Sequence, residues 1–127
     1  MVRVRAVSDE EAQSAERPWG AWYVLEEAPG YKVKRIEVHG GHRLSYQTHE
    51  HRSEHWLVIR GTATFVVDGV TTVAGPGEHV DVGRGSAHRI ANDTAEPVVI
   101  IEIQRGGYTG EDDIVRLDDD YQRCDPS

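Results

Sequence analysis

The chain has a single cysteine, Cys124, close to its end, so no disulfide framework can staple it. It has no run of about 18 apolar residues, the length a membrane-spanning helix needs, and its opening MVRVRAVSDEEAQ lacks the apolar segment of a secretory signal. A cytoplasmic location is therefore expected. Positive charge is scarce: 14 Lys and Arg stand against 22 Asp and Glu, for a formal net charge of −8 and a pI near 5.3. Such a field repels nucleic acid and anionic membranes, which excludes both as expected partners. A phosphorylated small molecule would need a local basic pocket. Long amphipathic helical patterns are also missing.

What the chain does have is glycine, 13 in 127 residues, separating short runs rich in Val, Ile and aromatics. Ser8-Asp9-Glu10-Glu11 has the form of a capping box and predicts a short peripheral helix over about residues 9–15, ended at Pro18. After it come predicted strands at 22–26, 31–38, 44–49, 54–60, 62–67, 70–73, 79–82, 87–91 and 97–104, with Asp68-Gly69 as a hairpin turn. Many short strands with regular turns predict one all-β domain, a sandwich or jelly-roll barrel.

The chemistry concentrates in residues 41–61, GHRLSYQTHEHRSEHWLVIRG, where four histidines, two glutamates and a glutamine lie between two glycines. Residues two apart in a strand share a face, so Gln47 and His49 can grip one ion together, and a turn through 50–53 returns Glu54 beside them. A second stretch, GEHVDVGRGSAHRIAN at 77–92, offers His88 as a fourth ligand. A competing register takes His49-Glu50-His51 as the pair. It loses the glycine six residues upstream, where Arg43 stands, so the register through Gln47 is preferred. The ligand set is then Gln47, His49, Glu54 and His88, with positions open for water or substrate. The plainer reading has these histidines as hydrogen-bonded strand residues. Mixed nitrogen and oxygen donors suit one divalent ion, zinc first, with Fe, Mn, Co or Ni as alternatives.

These two stretches resemble the paired motifs of the cupin superfamily. RPWG at 17–20, YKVKRI at 31–36, LSYQTHEHRSEHW at 44–56, IEIQ at 101–104 and GEDDIVR at 110–116 resemble, more narrowly, the cupin domain of type II mannose-6-phosphate isomerases, here without the guanylyltransferase that often precedes it. Gly83 departs from a common proline and Tyr46 from a common leucine. The resemblance implies a double-stranded β-helix, or jelly-roll, with residues 1–16 as an N-terminal extension, 17–117 as the cupin domain and 118–127 as a tail.

It also implies metal-dependent isomerisation of mannose 6-phosphate to fructose 6-phosphate. His51 and Glu102 are the candidates for the proton-shuttling base, and Arg116 joins them as a catalytic candidate or is locked by Asp112 or Asp113. Lys32, Lys34 and Arg52 are candidates for the phosphate, although exposed lysine is the ordinary case. Trp56 shares the Glu54 face and is a candidate for the sugar; Trp19 and Trp22 are expected in core or partner contacts, and His55 in a structural role. A homodimer is expected. Other readings are an oxygenase, a tailoring isomerase or cyclase acting on another small molecule, and a non-catalytic sugar-binding module.

Overall fold

The computed structural model describes residues 14–121, which are all-β. The strands are β1 (Ser14–Arg17), β2 (Gly20–Ala28), β3 (Tyr31–Val38), β4 (Tyr46–Thr48), β5 (Arg52–Arg60), β6 (Ala63–Val67), β7 (Val70–Ala74), β8 (His79–Val82), β9 (His88–Ala91), β10 (Val98–Gly106) and β11 (Val115–Asp118). They form two antiparallel sheets packed face to face, ordered β1-β2-β3-β10-β5-β8 and β11-β4-β9-β6-β7. This is the expected jelly-roll.

Residues 14 and 15, placed at the end of the expected helix, instead lie in β1, where Ser14 pairs with Tyr23 and Arg17 with Gly20. The rest of that predicted helix falls outside the described residues. The capping-box pattern has no pairing information in it, whereas a neighbouring strand edge offers backbone partners that a local pattern cannot reveal. β11 was likewise not expected as a strand; its four residues, Val-Arg-Leu-Asp, alternate but lie in an acidic stretch, and the strand forms by pairing with β4. The strand predicted over 44–49 is regular only over Tyr46–Thr48, with Leu44 N–H still donating to the Ile90 carbonyl at 2.9 Å.

Gly41 and Gly61 bracket the first motif, and both are in the left-handed region, with φ of 76° and 82°. Side-chain-bearing residues rarely adopt that conformation, which explains the glycine pair without invoking a ligand.

What positions the site is a change of chemistry halfway along three adjacent strands. On β3, and on β5 from Arg52 to Val58 and β10 from Val98 to Gln104, every second residue points inward and is buried. One half of each inner row is apolar: Ile36 and Val38, Trp56 and Val58, Val98 and Ile100, all nearly inaccessible. These join Phe65, Ala63, Ile90 and Ala74 of the facing sheet in one core. The other half is polar: Lys32 and Lys34, Arg52 and Glu54, Glu102 and Gln104, and it is just as buried. Strand register aligns them into rows, Lys34 with Glu102 with Trp56, and Lys32 with Gln104 with Glu54.

Candidate metal centre

The polar half of the barrel is a cavity whose walls carry Lys34, Gln47, His49, Arg52, Glu54, Trp56, Glu102, Glu111 and Arg116. Space not filled by protein atoms, with the solvent at its mouth included, is about 700 Å³. Lys32 and Lys34 are 5 % and 4 % exposed, so the ordinary expectation of solvated lysines is overturned: their strand face looks into the barrel.

His49, Glu54 and His88 bring one donor atom each to within 4.8 Å of one another. His49 Nε2 is 3.1 Å from Glu54 Oε2, and His88 Nε2 is 3.8 Å from Glu54 Oε1. Gln47 pairs directly with His88 between β4 and β9, is buried, and lines the same cavity. His51 does not join them. It is exposed, its ring meets Tyr108 edge-on at 6.1 Å, and it is absent from the cavity wall. β4 ends at Thr48 and the chain bends at residues 50 and 51, so the period that puts Gln47 and His49 on one face does not carry through to His51.

The donors suit a divalent ion. His49 Nδ1 lies 2.5 Å from the Asp113 carbonyl and His88 Nδ1 2.9 Å from the Ser86 carbonyl. A carbonyl only accepts, so each Nδ1 carries the proton and each Nε2 presents its lone pair to Glu54. His88 Nε2 is buried and has no hydrogen-bond partner, the signature of a ligand atom awaiting a cation. Two imidazoles and a carboxylate, with Gln47 beside them, match the mixed donor sets of borderline divalent metals. Arg52 shares these atoms: its Nε donates to Glu54 Oε2 at 2.9 Å, and its second terminal nitrogen is 3.2 Å from His49 Nε2. Ion binding and the position of Arg52 are therefore linked.

Trp56 is 1 % exposed and spans core and site. Its ring packs on Phe65 at 4.9 Å and edge-on to His88 at 5.4 Å. Its Nε1–H is shared between Glu54 Oε1 at 2.9 Å and Glu102 Oε2 at 3.2 Å. Gln104 Nε2 donates to the other Glu102 oxygen at 2.6 Å. The two carboxyls differ in charge state. Burial alone would raise Glu54, but its contacts with His49, the Arg52 guanidinium and His88 hold it well below the usual carboxylate range. Burial, then the charge of Glu54, pushes Glu102 up to about 8, with Lys34 and Arg52 pulling the other way. Burial lowers His88 and keeps the imidazole neutral, as a ligand requires.

The segment from Gly107 to Ile114 runs across the cavity mouth. Asp113 anchors one end: its carboxylate accepts from the backbone N–H groups of Glu50 and His51 while its carbonyl holds His49. Gly110 O accepts from Arg52 at 3.3 Å and Thr109 O from Lys32 at 2.7 Å. Glu111 accepts from Lys34 at 2.9 Å and Lys32 at 3.3 Å. The roles of Glu111 and Asp113 were not anticipated, since GEDDIVR drew notice only as a motif ending in Arg116. Arg116 lines the cavity, lies opposite Gln47 in register, and has Asp119 at 4.0 Å, an acidic neighbour other than the Asp112 or Asp113 that the sequence offered as one alternative. Asp112 instead accepts from Tyr108. His55 faces out of the barrel, with Nδ1 2.5 Å from Asp81. Trp19 and Trp22 each belong to both the core and the cavity wall, and the Trp22 ring lies 4.1 Å under Lys34 Nζ.

The comparisons with known proteins agree with this architecture. The alginate biosynthesis protein AlgA of Pseudomonas aeruginosa is 44 % identical over 107 residues, which is 84 % of this chain and 22 % of the relative. The chain thus spans about a fifth of the length of the curated relatives it matches. Among solved structures, the capsular polysaccharide assembling protein CapF from Staphylococcus aureus superposes with a TM-score of 0.73 at 17 % identity, over 83 % of this chain and 34 % of that one. An uncharacterised protein with a double-stranded β-helix domain from Klebsiella pneumoniae superposes with a TM-score of 0.66 at 21 % identity, over 89 % of each chain. At such identities the likeness is one of fold. Residues 6–119 match the family described as mannose-6-phosphate isomerase C-terminal, and with nearly the whole chain covered the protein belongs to that family of cupin domains.

Proposed function

We propose that this chain is a metal-dependent sugar-phosphate aldose-ketose isomerase domain that interconverts mannose 6-phosphate and fructose 6-phosphate. The observation that carries the reading is the composition of one inner wall. Two adjacent residue rows put a carboxylate ligand, Glu54, a carboxyl of raised pKa, Glu102, and the buried cations Lys32 and Lys34 on a single face, with Arg52 at its end. An aldose-ketose shift needs those three functions: polarisation of the sugar oxygens, a proton carrier between C1 and C2, and a grip on the phosphate. The family description supports the same substrate class.

His49, Glu54 and His88, with Gln47 beside them, would hold the ion, for which zinc is favoured. When bound, it supplies Lewis acidity toward the two sugar oxygens. Glu102 is the proton carrier: it is buried on the cavity wall, oriented by Trp56 and Gln104, and near neutrality in its proton affinity. His51, exposed and off the wall, is not assigned that role. Lys32, Lys34 and Arg52 hold the phosphate, Arg52 offering a planar fork. Trp56, with its N–H committed to two carboxylates, orients those groups and closes the cavity floor. Arg116, which lies on the wall opposite Gln47 in register, would meet the substrate oxygens from the second sheet. The homodimer belongs to the same proposal, and sedimentation equilibrium tests it.

The deciding experiment is an assay of the purified chain, reconstituted in turn with Zn, Mn, Co, Ni or Fe(II), for conversion of fructose 6-phosphate to mannose 6-phosphate, beside a panel of other sugar phosphates. Turnover that depends on the ion and on Glu102 supports the reading. Absence of turnover with every ion and every sugar phosphate defeats it.

A further inference from the structure

We propose that the Glu111 carboxylate occupies the anion subsite of the cavity and selects for a dianionic phosphoryl ligand, which takes its place on Lys32, Lys34 and Arg52. The identity of the ligand rests on the sugar-phosphate reading above; the displacement itself does not need turnover.

Two ammonium groups on one inward strand face, each about 95 % buried, are costly to keep charged without partners. Glu111 is what they share, at 2.9 Å from Lys34 Nζ and 3.3 Å from Lys32 Nζ. Arg52 also faces it: each of the two groups moves the other's proton affinity, and the adjacent Gly110 carbonyl accepts from the guanidinium. Glu111 is carried on a segment with no strand pairing of its own between β10 and β11. Its side chain is 35 % exposed, far more than the lysines it neutralises. The carboxylate therefore reaches in from the mouth, the route a ligand would take.

The consequence is selection by charge. An uncharged sugar that pushed the carboxylate aside would leave Lys32 and Lys34 without it, and its hydroxyls could not compensate. A phosphoryl group brings three acceptor oxygens and about two negative charges, enough to satisfy both ammonium groups and the guanidinium together. Lys32 keeps the Thr109 carbonyl and Glu27, at 3.6 Å, during the exchange, and Lys34 keeps the Trp22 ring. The anchor at Asp113 is separate from the Glu111 contacts, so the carboxylate can leave while His49 stays held.

Inorganic phosphate is the probe, titrated into metal-free protein at low ionic strength and followed by calorimetry and by the fluorescence of Trp22 beneath Lys34. Glu111→Gln keeps the shape and removes the competing charge, and should bind phosphate about tenfold more tightly than the natural chain. Lys34→Met in the Glu111→Gln background should abolish the gain. Equal or weaker phosphate binding by a folded Glu111→Gln variant overturns the proposal. Should that variant not fold, amide exchange on the natural chain decides: phosphate should speed exchange at residues 108–112, and unchanged or slowed exchange there overturns it. Phosphate binding with this pattern but no sugar-phosphate turnover would defeat the isomerase reading and leave the subsite standing. Turnover with unaltered phosphate affinity in Glu111→Gln would do the reverse.

Discussion

Glu54 and Glu102 share one hydrogen-bond donor, the indole Nε1–H of Trp56, and sit on opposite sides of the usual carboxylate range. The difference comes from neighbours. Glu54 faces His49, Arg52 and His88, whereas Glu102 faces Glu54 across the indole and has Lys34 and Arg52 as its counter-charges. A single tryptophan thus keeps a metal-type carboxylate and an acid-type carboxyl adjacent and distinct.

Replacing Trp56 by Phe tests that role. The ring would still pack on Phe65, but both carboxyls would lose their common donor and a gap would open in the floor. Chemical denaturation should report a loss of about 2–4 kcal/mol in unfolding free energy, from unsatisfied buried acceptors together with the cavity.

Metal binding separates the two readings of the histidine cluster. Elemental analysis after zinc loading should find His88→Ala and His49→Ala depleted of the ion, Gln47→Ala reduced, and His51→Ala equal to the natural chain. Since an ion bound only to the folded state stabilises it by about 2.7 kcal/mol at a hundredfold excess over Kd, chelation should lower Tm in the natural chain and not in His88→Ala. Retention of zinc by Gln47→Ala with loss in His51→Ala would restore the other register.

Glu102→Gln keeps the hydrogen-bonding shape while removing the proton carrier. Turnover of fructose 6-phosphate should fall by about 10²–10⁴-fold, with zinc content unchanged. A rise in KM with kcat unchanged would instead make Glu102 a binding residue.

The Glu111 contacts carry a pH dependence of definite sign. Burial opposes ionisation there, but Lys34, Arg52 and Lys32 outweigh it and hold the carboxyl below 4.5. A depressed folded-state value means that this contribution is fully present above the unfolded value and is lost as pH falls through the folded one. The stability difference between the natural chain and Glu111→Gln should therefore be about 1 kcal/mol near neutrality, discounted for a side chain a third exposed. It should shrink steadily below pH 4.5, and a gap that widens on acidification would contradict the assignment.

The inward rows of β3, β5 and β10 explain why so much was legible in the chain itself. Alternation is local, so Gln47 with His49, Lys32 with Lys34, and Glu102 with Gln104 could be put on common faces from their spacing alone, and the glycine brackets announced the turns. Gly41 and Gly61 do adopt positive φ. Spacing also turned His55 away from Glu54, whereas His51, two residues from His49, leaves the ligands only because the chain bends at 50 and 51. What spacing could not supply was partnership across the barrel. That Lys34 stands opposite Glu102, that Trp56 bridges two carboxyls, that Asp113 fixes the tautomer of His49 through its carbonyl, and that Glu111 returns some 77 residues later in sequence to neutralise Lys34 all depend on strand register and on a loop folding back over the mouth. Residues 14–17 and 115–118 became strands for the same reason, because edge pairing is provided by a neighbour. The sequence determined which side chains share a face. Tertiary structure decided which faces meet, and thereby which lysines are buried, which carboxyl holds its proton, and which carboxylate guards the cations.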